Sequence, residues 1–384
     1  MTKTTLIIGG GIAGLTLAQS LVQAGYDSKN LVIVHRPVTG QTGSTNPGGL
    51  LNPVPGASLN PKPGTLKAFR YTMSWIETFP SALRAQCITN LKLLRPFNLE
   101  IQPGRRLLKS FQQSQEILNE HVGVRQLSTA ELQEVYPHLN GCDGAIEFAE
   151  AATLPMNEVS DYLTQKLIEA GVCIKTSQVL RVSNLPNHWQ VDLHGESIEA
   201  EQVVFATGSE LLQFFPNLPL RSTAGYLAQI TMPSAFPKTH AVSGRGHLCP
   251  MADGSWILGA TYHQESAPEP EDDAALRQIL LSKIGQWVGE THQSEWLGSW
   301  RGVRAVIAPE KQPLIGAIPG SSGLFVLGGF ASRGLQWAPY CSQQLATHLM
   351  GAPLALPKSI LSSRLNAETW ILNAQKQAHQ TSPS

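Results

Sequence analysis

The apolar positions change period several times along the chain, and each change marks an element. Leu6-Ile7-Ile8 is a short uninterrupted run, the pattern of a buried strand. Beyond Gly9 the apolar residues fall at Leu15, Leu17, Ala18, Leu21 and Val22, a helical spacing that ends near Gly25. Leu31-Val32-Ile33-Val34 is a second strand and completes a short βαβ unit. Helical patterns follow around Leu66–Phe79 and Ser128–Val135. Between Leu154 and Gly171, Val159, Leu163, Leu167 and Ile168 share a helix face, with Asn157 as the expected cap and Gly171 as the stop. Val172 to Val182 alternates as one strand, a hairpin runs through Trp189, Val191, Leu193 and Ile198, and Val203-Val204-Phe205 is a buried strand.

The pattern then changes character. Tyr226–Ile230, Gly246–Pro250 and Trp256–Tyr262 read as antiparallel strands joined by Pro/Gly turns. A helix opens at Asp272-Asp273 and carries Leu276, Ile279, Leu280, Ile284 and Trp287 on one face. This block reads as a second domain inserted into the first. The first resumes at Gly323–Gly329 and closes with a helix from about Ala338 to Leu349. Thr39–Gly64 is rich in Gly, Pro, Asn and Ser, and so long an irregular stretch in a compact domain is usually functional.

The junction of the first strand and helix carries candidate chemistry. Gly9, Gly11 and Gly14 form G-x-G-x-x-G, with Ile12 and Ala13 between the last two glycines. Gly9 permits the tight turn, Gly11 the approach of a pyrophosphate, and Gly14 close packing of helix on strand, while the helix start faces the negative charge. An acidic residue usually ends the second strand and holds ribose hydroxyls; here His35-Arg36 stands in its place. His35 can still bond a ribose and Arg36 can meet a phosphate or stack on adenine, or the pair is an ordinary strand-end loop.

Charge and cysteine content narrow the classes. In 384 residues, 28 Lys and Arg balance 28 Asp and Glu, so no global field favours nucleic acid or an anionic membrane. The basic knot Arg105-Arg106-Leu107-Leu108-Lys109 is solvated surface or a polyanion contact. Five scattered cysteines without a C-x-x-C pair argue against a disulfide framework or a metal site, and a cytoplasmic setting is expected. No segment reads as a signal peptide or a membrane span.

Three Gly-marked strand ends combine: Gly9-Gly11-Gly14, Ala206-Thr207-Gly208, and Gly328-Gly329-Phe330-Ala331-Ser332-Arg333-Gly334-Leu335. Together they resemble the D-amino-acid oxidase (DAO) family of FAD-dependent oxidoreductases, the group that includes glycine oxidase and sarcosine oxidase. Ser44-Thr45-Asn46, Gly49–Pro53, Gly246–Pro250, Leu258–Tyr262, Gly302-Val303-Arg304, Pro313–Gly316 and Ala331–Leu335 are similar to the oxidase domain of the bifunctional tRNA wobble-uridine enzymes called MnmC. The resemblance implies an α/β fold: a discontinuous Rossmann-like FAD-binding domain (1–82, 147–222 and 299–357), an α+β antiparallel-sheet substrate domain (83–146 and 223–298), and a C-terminal helix and tail (358–384). It implies an enzyme with non-covalent FAD, since Cys249 and Cys341 match no covalent attachment pattern. FAD contacts are expected from Gly9, Gly11, Ile12, Ala13, Gly14, His35, Arg36, Ser44, Thr45, Asn46, Gly49, Leu50, Val179, Ala206, Thr207, Gly208, Arg304, and Gly329 through Leu335. The polar loop at 44–46 serves as a donor set or is purely structural.

The expected reaction is oxidation of the C–N bond of a small amino acid or an N-substituted glycine-like amine. A guanidinium is the natural clamp for its carboxylate, and Arg304 and Arg333 are the candidates. The start of the helix after Gly334 can stabilise negative charge on the reduced ring. His247 orients the substrate or is a satisfied sheet histidine, and Tyr262 reads as core. The expected partners are a small amine or amino-acid substrate and an electron acceptor such as oxygen. A tRNA-borne carboxymethylaminomethyl group is the alternative substrate, one that the neutral charge does little to attract. A noncatalytic flavoprotein or RNA-binding module is the alternative of another class.

Overall fold

The computed structural model describes residues 3–36, 42–233, 236–262, 272–285, 287 and 294–373. Its chain divides into two compact units, Met1–Gly40 with Ser160–Ser222 and Arg304–Ser384, and Gln41–Val159 with Thr223–Val303. This division corrects the expected boundaries. Residues 41–82 belong to the second unit because β3 (Gly49–Leu51) pairs antiparallel with β6 (Gly144–Leu154) rather than with the first sheet. Strands are numbered β1–β18 and helices α1–α9 in chain order.

The first unit is built on a six-stranded sheet. Its parallel strands are β1 (Thr5–Ile8), β2 (Leu31–His35), β7 (Cys173–Thr176), β11 (Gln202–Phe205) and β18 (Leu324–Gly328), and β17 (Leu314–Ala317) adds antiparallel at one edge. The spatial order is β17-β18-β11-β1-β2-β7, so the first strand in the chain sits between β2, which follows it across one helix, and β11, which follows by a long connection. β1 is buried along its whole length, as an apolar run in a parallel sheet must be. Its Leu6 and Ile8 pack with Phe205, Phe215, Val326 and Trp370 in one core, each such side chain contributing roughly 1.5–3 kcal/mol of transfer free energy. α1 (Ile12–Gln23) packs with α9 (Gly334–Leu349), where Thr16 Oγ1 meets Ser342 Oγ at 2.8 Å. A separate three-stranded sheet holds β8 (Val179–Asn184), β9 (Trp189–Leu193) and β10 (Ser197–Ala200), and α7 (Leu211–Phe214) follows β11.

Several sequence expectations shift. The single strand expected over Val172–Val182 is two, because β7 joins the parallel sheet and β8 the small one. α6 (Met156–Glu169) starts before Asn157, which is therefore not its cap, and Ile168 is exposed rather than core. α9 starts at Gly334, four residues before the expected point; Pro339 lies inside it in the second turn, where it has no N–H to give to the Leu335 carbonyl. Residues 358–373 form short 3₁₀ turns rather than the expected C-terminal helix.

The second unit is an antiparallel-rich sheet in the order β16-β12-β15-β14-β13-β4-β6-β3, with β5 (Val124–Ser128) on β6. Its other strands are β4 (Ile88–Phe97), β12 (Leu220–Ile230), β13 (His240–Ser243), β14 (His247–Pro250), β15 (Trp256–Gly259) and β16 (Trp296–Ile307). The division of the chain falls within α6, β12 and β16. α2 (Thr65–Glu77), α3 (Ser81–Arg84), α4 (Gln102–His121), α5 (Thr129–Val135) and α8 (Asp273–Ile284) complete it. α5 opens on a full capping box, Ser128 with Glu131, and α8 on an Asp272 cap. Leu276, Leu280, Ile284 and Trp287 pack with Leu248, Trp256 and Leu258. Among the described residues no helix is long and apolar enough to cross a membrane.

Candidate functional site

In the first unit, the turn from β1 into α1 has no room for side chains. Gly9 has φ +120°, and a Cβ there would lie 2.4 Å from the Ala206 carbonyl oxygen. A Cβ at Gly14 would lie 1.9 Å from the Gly9 carbonyl oxygen, so both positions require glycine. Gly11 is the N-cap of α1, and no side-chain cap or acidic first-turn residue neutralises that helix start. α9 likewise begins without a side-chain cap or an acidic residue, and a Cβ on its Gly334 would sit 3.9 Å from Ile12 Cγ2. Two electropositive helix starts are thus neighbours.

β11 ends beside this turn, with the Ala206 N–H donating to the Ile8 carbonyl at 2.8 Å. The next residue, Thr207, has a buried hydroxyl with no hydrogen-bond partner in the structure. Leaving such a group unpaired is costly, which marks it as a donor awaiting an acceptor. At the end of β2 the His35 ring is occupied. Its Nδ1 is 3.0 Å from the Arg36 carbonyl and must carry the proton, so Nε2 accepts from the Thr176 hydroxyl at 3.2 Å. Arg36 pairs with Glu210 at 2.6 Å. Val179 is partly buried and pairs with Leu193 across β8 and β9.

The turn after β18 is conformationally unusual. Gly329 (φ +70°) and the non-glycine Ala331 (φ +54°) both occupy the left-handed region. Phe330 forms an isolated antiparallel bridge with Val306 of β16, which ties the segment carrying Arg304 to the segment carrying Arg333. The Arg333 guanidinium is partly buried and donates through Nη2 to the Lys311 carbonyl; Lys311 itself has φ +53°. Burial lowers the Arg333 pKa, and among the described residues no carboxylate pairs with it. No motif marks Lys311 or its neighbours, because what matters there is a backbone carbonyl.

The remaining candidates lie in the second unit. The polar loop is folded largely on itself: Thr42 and Thr45 share a 3.0 Å hydroxyl contact, Asn46 Nδ2 donates to the Gly43 carbonyl at 2.8 Å, and Asn46 Oδ1 accepts from the Gly48 N–H. At Gly48 the loop packs closely on its own unit, since a Cβ would meet Ile257 Cγ1 and Met251 Sδ, each at 2.7 Å. Leu50 is partly buried in β3, opposite Thr153. His247 opens β14 opposite Gly259, and its imidazole lies so close that a Cβ on Gly259 would be 2.5 Å from Cε1. Tyr262 is 58% exposed and so is not the core residue expected. Cys249 is buried and its thiol is pushed up to about 12 by burial. Among the described residues, no three His, Cys, Asp or Glu are grouped to hold a metal ion.

Comparison with known proteins decides the family. The sequence profile of the FAD dependent oxidoreductases called DAO matches residues 4–348. The chain belongs to the DAO family. It is 27% identical over 370 residues to the tRNA 5-methylaminomethyl-2-thiouridine biosynthesis bifunctional protein MnmC of Thiobacillus denitrificans, covering 92% of this chain and 58% of that protein. The chain therefore spans little more than half the length of that relative. The fold is that of glycine oxidase from Geobacillus kaustophilus, with a TM-score of 0.78 at 18% identity over 92% of this chain and 96% of the other. Iminodiacetate oxidase from Chelativorans sp. BNC1 gives a TM-score of 0.75 at 19% identity over 92% and 97%.

As a DAO-family enzyme the protein uses FAD, and the first unit fits that group. Glycines at 9 and 14 keep the turn free of side chains, two uncapped helix starts favour negative charge, and the Thr207 hydroxyl lacks an acceptor. His35 is the misfit. Its ring nitrogens are both engaged within the protein, so a ribose contact there requires one of those bonds to be exchanged.

Proposed function

We propose that the protein oxidises the C–N bond of a small amino acid or N-substituted glycine-like amine. The observation that carries this reading is the Arg333 guanidinium, which is partly buried, turned to a backbone carbonyl and unpaired with any carboxylate among the described residues. One engaged nitrogen leaves the guanidinium's other donors for an incoming carboxylate. Arg304, two residues from the Val306–Phe330 bridge, is the second carboxylate-binding candidate. In the reaction the substrate's α C–H bond breaks with its electron pair, the nitrogen sheds a proton, and the resulting imine is hydrolysed. Bound FAD supplies the hydride acceptor. The residues' part is to hold the carboxylate so that the α carbon is presented in one orientation. His247 is the candidate for orienting the other end of the substrate.

A second reading is supported by the MnmC relatives, which match 92% of the chain in the example above. A carboxymethylaminomethyl group on a tRNA uridine is itself a secondary amine bearing a carboxylate, so the same arginine chemistry serves it. The two readings separate in one experiment. The yellow protein is mixed anaerobically with glycine, sarcosine, proline, D-amino acids or tRNA carrying that uridine, and flavin bleaching is followed. Bleaching by a free amino acid favours the first reading, and bleaching by tRNA alone favours the second. A bound flavin bleached by none of them overturns both and leaves a noncatalytic flavoprotein.

A further inference from the structure

We propose that the segment Pro357–Trp370 is a strap that sets the position of the Arg333 guanidinium, with Arg364 as the positioning residue. The inference rests on Arg333 being the carboxylate-binding group proposed above. The strap lies along the otherwise free edge of the six-stranded sheet: Leu361 forms a parallel bridge with Ile315 of β17, and Ser362 Oγ donates to the Ala317 carbonyl. It is anchored at both ends. Ile360 is fully buried, and the buried Trp370 packs edge-on against Phe215 with ring centroids 5.4 Å apart.

Between those anchors Arg364 spends its two terminal nitrogens on backbone. Nη1 donates to the carbonyls of Pro313 (2.5 Å) and Ser359 (2.7 Å), and Nη2 to the carbonyl of Gln312 (3.1 Å). The preceding carbonyl, that of Lys311, accepts from Arg333. Three consecutive carbonyls of one loop are therefore held by two guanidiniums approaching from different parts of the chain. Gln312 is itself buried, so the loop cannot trade these bonds for water without moving.

Lys311 explains why the loop needs holding. A left-handed conformation is unfavourable for a non-glycine residue and persists only where the surroundings over-determine it. One local bond supports it, from the Lys311 N–H to the Ile307 carbonyl at 2.8 Å. Arg333 holds the Lys311 carbonyl, and Arg364 adds restraint on the next two carbonyls. Without it, Lys311 relaxes toward negative φ, its carbonyl turns, and Arg333 loses the contact that aims it. The strap thus acts on substrate through Arg333 and touches no reacting atom itself.

The test uses the full-length, flavin-loaded protein and the variants Arg364→Met and Arg364→Lys. The rate at which phenylglyoxal modifies Arg333 is read by peptide mass spectrometry, alongside amide exchange over 310–314 and the melting temperature. Arg364→Met is expected to speed Arg333 modification by about tenfold, the equivalent of one charge-assisted hydrogen bond, with exchange rising at 310–314. Arg364→Lys, which keeps the charge and a single donor nitrogen but loses the two-nitrogen fork, should fall between it and the wild type. An unchanged Arg333 rate in both variants overturns the proposal. So does a faster rate accompanied by a large drop in melting temperature in both, since the strap would then be only a staple for the unit. The reading of Arg333 itself fails separately: Arg333→Ala that reduces its flavin with wild-type KM removes the carboxylate role while leaving the strap result standing.

Discussion

Replacing Gly14 by alanine is the sharpest test of the cradle, because the structure states what the new methyl meets. Its carbon would lie 1.9 Å from the Gly9 carbonyl oxygen and 3.1 Å from the carbonyl carbon, with Ile7 Cγ2 at 3.2 Å. The first contact must open by about 1.1 Å to reach even the tightest separations that Cβ atoms tolerate, near 3.0 Å. Both groups at the closest contact are backbone, so no side chain can swing aside and the start of α1 must lift from the end of β1. Overpacking of this kind costs about 1–3 kcal/mol. The displaced atoms are the ones proposed to cradle the pyrophosphate, so on that reading the cost falls on FAD affinity as well as on folding. Titrating apoprotein with FAD and following flavin fluorescence should give a dissociation constant raised about tenfold or more, with a melting temperature several degrees lower. Gly25→Ala, beyond the other end of α1, is the control: no atom lies within 4 Å of its Cβ, and φ +86° adds only about 1–2 kcal/mol of local strain. A Gly14→Ala protein that binds FAD with wild-type affinity and melts normally would refute the reasoning.

Three further outcomes follow from the structure. Thr207→Val removes a buried hydroxyl that has no partner in the protein, so apoprotein stability should hold or rise while FAD affinity falls by about tenfold, measured by melting and by titration. Gly259→Ala puts a methyl 2.5 Å from the His247 imidazole and must swing the ring off β15; if His247 orients substrate, KM rises severalfold while the bound-flavin spectrum is unchanged, and an unchanged KM would make His247 a sheet residue. The second unit should lose stability in acid. Burial alone would raise the Glu147 pKa, but the Arg125 hydrogen bond (2.9 Å) and the charges of Lys92, Arg125 and His240 outweigh it and leave the carboxyl below its ordinary value. Burial lowers the His240 pKa first of all, against Glu147 and with the repulsion of Lys92 and Arg125. A histidine depressed in the fold takes up its proton on unfolding, so stability falls as pH drops below about 6.5, and a depressed carboxylate adds a second loss below about 4.5. Urea midpoints between pH 8 and pH 3 should show both phases, and His240→Gln should erase the upper one.

The cradle was legible because its glycines are required by sterics that act within a few residues, and a local requirement leaves a local motif. The edges of the two units were not. β3 joins the second unit through pairing with Thr153 and Ala152, about a hundred residues away, and no pattern inside Gly49–Leu51 says which sheet it joins. α4 escaped the periodicity for a different reason. Gly104, Ser110 and Ser114 fill part of its buried face between Leu107, Phe111 and Leu118, so an inward stripe looks polar in sequence. Gly104 is small because a Cβ there would lie 1.9 Å from the Asn98 carbonyl oxygen. The basic knot falls on this helix, with Arg105, Arg106 and Lys109 exposed. Arg333 could be picked out from its motif, but its anchor could not: the Lys311 carbonyl is twenty-two residues upstream and exists as a site only through backbone conformation.

The order β18-β11-β1 at the centre of the first sheet has a consequence for synthesis. The strand ends proposed to cradle FAD lie near 9–14, 206–208 and 329–335, so that arrangement does not exist until almost the whole chain has left the ribosome. At about 5–20 residues per second, roughly 15–60 s separate the appearance of Gly14 from that of Leu335. Throughout that interval β1 is an apolar strand lacking β11 and then β18, and cofactor has no formed site to bind. Capture of FAD is therefore a late event in biogenesis, and nascent chains interrupted before α9 should be isolated colourless whatever the supply of flavin.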